Sequence, residues 1–150
     1  MEPVAAGRSL IPSSLQFVNR AAPTGREPPR RVEVARVTVV IIAIAGAGGV
    51  LARYGIGQLT PSMWATFAVN VVGSLLLGIL IHAGRQLDPV WRDALGVGFL
   101  GGLTTFSTFS MQAVLEADGA RVGSAVVYVI ASVVCGIAAA AVGYYGAKAL

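Results

Sequence analysis

Thr104, Thr105, Ser107 and Thr108 crowd hydroxyl groups into residues 98–109, Gly-Phe-Leu-Gly-Gly-Leu-Thr-Thr-Phe-Ser-Thr-Phe, within a stretch otherwise apolar enough to cross a membrane. Hydroxyls donate hydrogen bonds that lipid tails cannot accept. Gly101 and Gly102 weaken a helix at the same place. Non-helical backbone at membrane depth is tolerated only when buried in protein or lining a wet cavity. The pattern predicts a helix broken near 101–105 that handles an ion or a small polar solute.

Other donors fall at helical spacing. Ser62, Thr66, Asn70 and Ser74 stand four apart, as do Ser124, Tyr128, Ser132 and Gly136, so each set lies along one helix face. Phe106 and Phe109 are three apart and share a face, with Ser107 and Thr108 beside them. One reading makes these residues glue between membrane helices, and positions 98 and 102 fit a small-xxx-small pattern. The other is an anion path. Hydroxyls and amides are donors without full charge, and an aromatic ring edge is electropositive. Conduction requires binding weak enough to release the ion, which neutral donors satisfy. Arg53 either draws anions to a vestibule or snorkels to the interface.

The elements that must position these groups are membrane spans. The 150 residues are 55% hydrophobic and only 12% charged, with a mean hydropathy of +0.75. A soluble domain carries about 25% charged residues. The net charge of +4 is not a nucleic-acid signal, because Arg8, Arg20, Arg26, Arg30, Arg31 and Arg36 all precede the first apolar run. Between Glu33 and Asp88 there is no acidic residue. Cys135 is alone, which excludes an intrachain disulfide, and His82 reads as an interfacial histidine. Acid pairs, nucleophilic triads and phosphate loops cannot be assembled, so an enzyme is not expected.

Residues 1–36 form an Arg/Pro-rich tail, expected to be disordered. It either sets orientation through anionic lipid or is passive. Residues 37–150 make the membrane domain, with spans at 37–57, 64–83, 95–115 and 122–147, each near the roughly 20 residues that a bilayer requires. Four spans put both termini on one side. The tail, with Arg85, Arg92 and Lys148, outweighs Arg53 and Arg121, which predicts cytoplasmic termini in a multi-pass cell-membrane protein. Without the tail the bias nearly vanishes.

Three segments resemble the Fluc/CrcB fluoride channels. Residues 46–54, Gly-Ala-Gly-Gly-Val-Leu-Ala-Arg-Tyr, are similar to the opening Gly-rich, Arg-Tyr motif of that family. Residues 66–73, Thr-Phe-Ala-Val-Asn-Val-Val-Gly, look like its second-helix motif, and 98–109 match its third-helix signature throughout. Tyr128 and Ser132 fall at the family's fourth-helix distances. The resemblance covers about 37–147 and leaves out the tail. It implies an all-α membrane protein that assembles as an antiparallel dual-topology dimer and passes fluoride passively out of the cytoplasm, limiting fluoride toxicity. Carried over by position, Asn70 would donate to the ion. Phe106 and Phe109 would form an aromatic box with rings of the partner. Ser107, Thr108 and Ser132 would line a polar track, with Tyr128, Thr66 and Arg53 nearby. A structural sodium ion at the dimer centre would be held by backbone carbonyls of Gly101 and Thr104. Pairing is expected as a homodimer, with an oppositely oriented paralogue as the alternative. The competing function is a small multidrug-resistance-type transporter, also of four spans, which needs a membrane-embedded glutamate; the first span here has none.

Overall fold

The computed structural model describes residues 29–150, so the first 28 residues of the expected tail lie outside the described residues. Helix α1 runs Pro29–Leu59 and α2 runs Met63–Ala83. A 3₁₀ turn at Gly84–Gln86 leads to α3, Pro89–Asp93, then to a wider π-type coil over Ala94–Leu100 and a short α4, Gly101–Leu103. Helices α5, Phe106–Asp118, and α6, Val122–Lys148, complete the chain. No strand occurs among the described residues.

Among the described residues, four stretches are long and apolar enough to cross a membrane: Glu33–Leu59, Met63–Gln86, Pro89–Asp118 and Val122–Lys148. The 27 residues of α6 extend about 40 Å, beyond the ~30 Å hydrocarbon core. Local chemistry starts these helices. Ser62 Oγ accepts from the Trp64 N–H at 3.2 Å and caps α2. Asp88 Oδ1 accepts from the Val90 N–H at 2.8 Å, with Pro89 at the first helical position. That cap explains why the third span begins at Pro89, ahead of its apolar run at Leu95. Between α5 and α6, Arg121 grips Glu116 through Nε and Nη2 at 2.8 and 2.9 Å. This hydrogen bond holds the Arg121 guanidinium above its ordinary range.

In lipid, apolar burial does not drive helices together, so close backbone approach must. The seam between α2 and α6 shows this reciprocally. A side chain added at Gly78 would overlap the Ala140 carbonyl, and one at Gly143 the Leu75 carbonyl. Gly102 likewise abuts the Gly46 carbonyl on α1. The core is small, with Val69, Ala94, Leu100, Phe109, Ala125 and Tyr128 buried. Large apolar side chains such as Ile44, Val97 and Ile137 point outward, each more than two-thirds exposed.

Gly143→Leu is expected to destabilise the protein by more than the roughly 1–3 kcal/mol typical of overpacking, because it meets backbone. Gly123→Ala, with open space around it, should change little. Thermal unfolding of both variants in detergent checks the contrast.

Candidate functional site

The third span leaves helical geometry at Thr104 and Thr105, both extended, with ψ of 154° and 121°. The glycine pair expected to weaken the helix lies inside α4; Gly102 serves the close approach to α1 instead. Thr104 bonds back to the Leu100 carbonyl, and what holds Thr105 is Asn70, one span away. Its Nδ2 donates to the Thr105 carbonyl at 3.1 Å, and its Oδ1 accepts from the Thr105 N–H at 2.8 Å. One side-chain amide thus takes the N–H that a continuous helix would bond to Gly101 and adds a donor to the carbonyl. Such replacement is obligatory where water is absent.

Thr105 also caps α5. Its Oγ1 accepts from the Thr108 N–H at 3.2 Å and donates to Thr108 Oγ1 at 3.1 Å. Ser107 Oγ lies 3.3 Å from the same oxygen. With its lone pair receiving the Thr105 proton, the Thr108 hydroxyl keeps its own proton for another acceptor. A second alignment occurs on α6. Tyr128, wholly buried, donates to Gln112 Oε1 at 2.9 Å, which leaves the Gln112 amide N–H groups as outward donors.

These groups flank two clefts that meet at Thr105. A cleft of about 400 Å³ is lined by Arg53, Thr66, Thr105, Thr108 and Gln112, among others. One of about 280 Å³ is lined by Asn70, Ser74, Gly101, Thr104, Thr105 and Phe106, among others. No carboxylate lines either cleft among the described residues. Arg53 reaches inward, where its Nε donates to the Gly102 carbonyl at 3.3 Å.

The phenylalanines differ in setting. Phe106 is 79% exposed and Phe109 only 7%, with ring centroids 5.6 Å apart. Phe109 packs on Tyr128 at 5.3 Å, and Trp64 meets Tyr128 edge-on at 5.8 Å. Ser132, one turn beyond Tyr128, has a buried Oγ without a hydrogen-bond partner.

The sequence profile of the family described as "CrcB-like protein, Camphor Resistance (CrcB)" matches residues 40–144. The chain belongs to this CrcB family. It is 44% identical over 112 residues to a Rhodococcus jostii (strain RHA1) protein named "Fluoride-specific ion channel FluC 2", a match covering 72% of this chain and 96% of the relative. A second protein of that organism, named "Fluoride-specific ion channel FluC 1", is 44% identical over 105 residues, 70% of this chain and 81% of its own. A Caulobacter vibrioides (strain NA1000 / CB15N) protein named "Fluoride-specific ion channel FluC" is 42% identical over 111 residues, 67% of this chain and 87% of its own.

In this CrcB chain the structure gathers Arg53, Thr66 and Thr108 about one cleft, and Asn70, Phe106, Gly101 and Thr104 about the other. Ser107 reaches the Thr105 hydroxyl, while Tyr128, Phe109 and Ser132 lie on the α5–α6 side. Gln112 escaped the sequence reading. Its signal was its place four residues after Thr108, on the same face of α5.

Asn70→Ala is expected to lower stability by about 1–3 kcal/mol, because it leaves the Thr105 N–H without its acceptor. Asn70→Asp keeps the bond to the N–H but sets a carboxylate against the carbonyl, and should be at least as damaging to fluoride flux. Unfolding temperature and proteoliposome efflux measured together check this; wild-type values in both would leave the clamp without a role.

Proposed function

We propose that this chain is a passive, fluoride-selective channel that releases fluoride from the cytoplasm. The observation that carries this is the match to proteins named fluoride-specific channels over 81–96% of their own lengths. The geometry supports it. Fluoride is small and strongly hydrated, so only closely set donors offset its dehydration. Here Thr108 and Gln112 hold donors oriented by internal hydrogen bonds, beside an arginine and without a carboxylate. Neutral donors bind without trapping.

In this reading two copies pack antiparallel as a homodimer, and the interrupted third span lies at their contact. The nearly exposed Phe106 would meet the partner's rings, completing an aromatic box with Phe109. Asn70, Ser107, Thr108, Tyr128, Ser132, Thr66 and Arg53 line or support the path. Pairing with an oppositely oriented paralogue is the alternative arrangement. The tail arginines would hold the termini in the cytoplasm.

The residues proposed for sodium fit a hard cation. The Thr105 N–H, which would serve the Gly101 carbonyl in a continuous helix, goes to Asn70. The Thr108 N–H, which would serve the Thr104 carbonyl, goes to Thr105 Oγ1. Both carbonyls therefore lose their intrahelical donors, and both border the smaller cleft. A bound sodium ion would satisfy such oxygens and add positive charge near the anion.

Purified protein in liposomes should release fluoride, but not chloride, without a proton gradient, as read by a fluoride electrode. Drug–proton exchange, or no flux, would reject the channel. Phe106→Ile and Phe109→Ile are each expected to slow efflux at least about tenfold, the effect of 1.36 kcal/mol at the barrier, while assembly persists by gel filtration. Wild-type rates in both would remove the aromatic box.

A further inference from the structure

We propose that Arg53 is a positioning residue for the interrupted span, not only a source of positive charge. The proposal rests on the channel reading above and concerns how the break is held. A helix that stops inside a membrane leaves its last carbonyls without N–H partners. At the end of α4, the Leu100 carbonyl receives both the Thr104 N–H and the Thr104 hydroxyl, each at 3.0 Å. The Gly102 carbonyl receives Arg53 Nε from α1 at 3.3 Å. Beyond the break, Thr105 is held on both polar groups by Asn70 from α2.

The two halves are thus pinned by different neighbours. Arg53 holds the end of the first half, and Asn70 holds the entry to the second. The separation of the halves sets where the Thr105 and Thr108 hydroxyls stand, and Thr105 borders both clefts. Gly102 permits this grip, since any side chain there would collide with the Gly46 carbonyl on α1, the helix that carries Arg53. A guanidinium suits the task because its planar fork holds one donor on a carbonyl while its other N–H groups and its charge stay at the larger cleft. A lysine ammonium keeps the charge and loses the fork.

The experiment compares wild type, Arg53→Lys and Arg53→Gln in proteoliposomes, recording fluoride and chloride efflux at low and high ionic strength. A pure electrostatic lure would survive in Arg53→Lys, and its loss in Arg53→Gln would shrink at high salt, where charge is screened. A positioning residue behaves otherwise. Both variants should slow fluoride about tenfold at either salt, and both should leak chloride relative to wild type, because the donors are no longer held at one spacing. Wild-type flux and chloride exclusion in Arg53→Lys would overturn the proposal. So would an Arg53→Gln defect that disappears at high salt. A variant that no longer assembles would also overturn it, since one hydrogen bond does not decide whether the spans fold. Failure of the channel reading itself would look different: wild type would release no fluoride.

Discussion

A peptide unit that leaves a helix within a bilayer must find its hydrogen bonds in protein. In this chain that constraint falls on Thr105, and the Asn70 side chain meets it alone, donating to the carbonyl and accepting from the N–H. The rest of the site depends on this exchange. With its backbone held from α2, Thr105 is free to use its hydroxyl to cap α5, which in turn orients Thr108. A neutral amide is the economical solution, because it presents donor and acceptor together. A charged group would leave one of the two Thr105 groups facing the wrong polarity.

The break also divides labour between helices. Helix α1 contributes Arg53 and the glycine contacts that admit the third span closely. Helix α2 contributes Asn70 to the break and, through Gly78, the seam with α6. Helix α6 contributes Tyr128, which anchors Gln112 and receives Phe109. Thr105, Gln112 and Phe109 are therefore held by neighbouring spans, and Thr108 by Thr105 of its own span. Side chains set this way would lose little freedom on meeting an ion, which is what a preorganised path would require.

Four membrane-crossing helices were legible from hydropathy alone, since about 20 apolar residues have few other uses. Spacing also put Thr66 and Asn70 on one face, and the structure sets them at two clefts that share Thr105. The agent of the interruption was not legible. Glycine spacing drew attention to positions 101 and 102, whereas Thr104 and Thr105 are the extended residues. The difference is tertiary: Gly102 is small because α1 passes close by, and the turn is held by an amide 35 residues earlier. Gln112 was hidden for a similar reason. A lone amide near the end of an apolar run looks interfacial until Tyr128, from another helix, is seen to donate to it. Arg53 had two readings from sequence, and only its contact with Gly102 distinguishes a third.

The uneven burial of the two phenylalanines bears on assembly. Phe109 is enclosed by its own chain, while Phe106, one turn away, is mostly bare and borders the smaller cleft with Gly101 and Thr104. Lipid could cover an exposed phenyl ring without difficulty. It could not serve the two carbonyls whose helical donors have gone elsewhere, because acyl chains supply neither protons nor cations. The ring alone therefore says nothing of a partner, whereas carbonyls left facing lipid would need one. A second copy bringing its own carbonyls to the same place would concentrate oxygen ligands enough for a hard cation, and would enclose Phe106 in the same step. On the proposed reading, dimerisation and ion binding would be one requirement, set by the same few residues of backbone at the break.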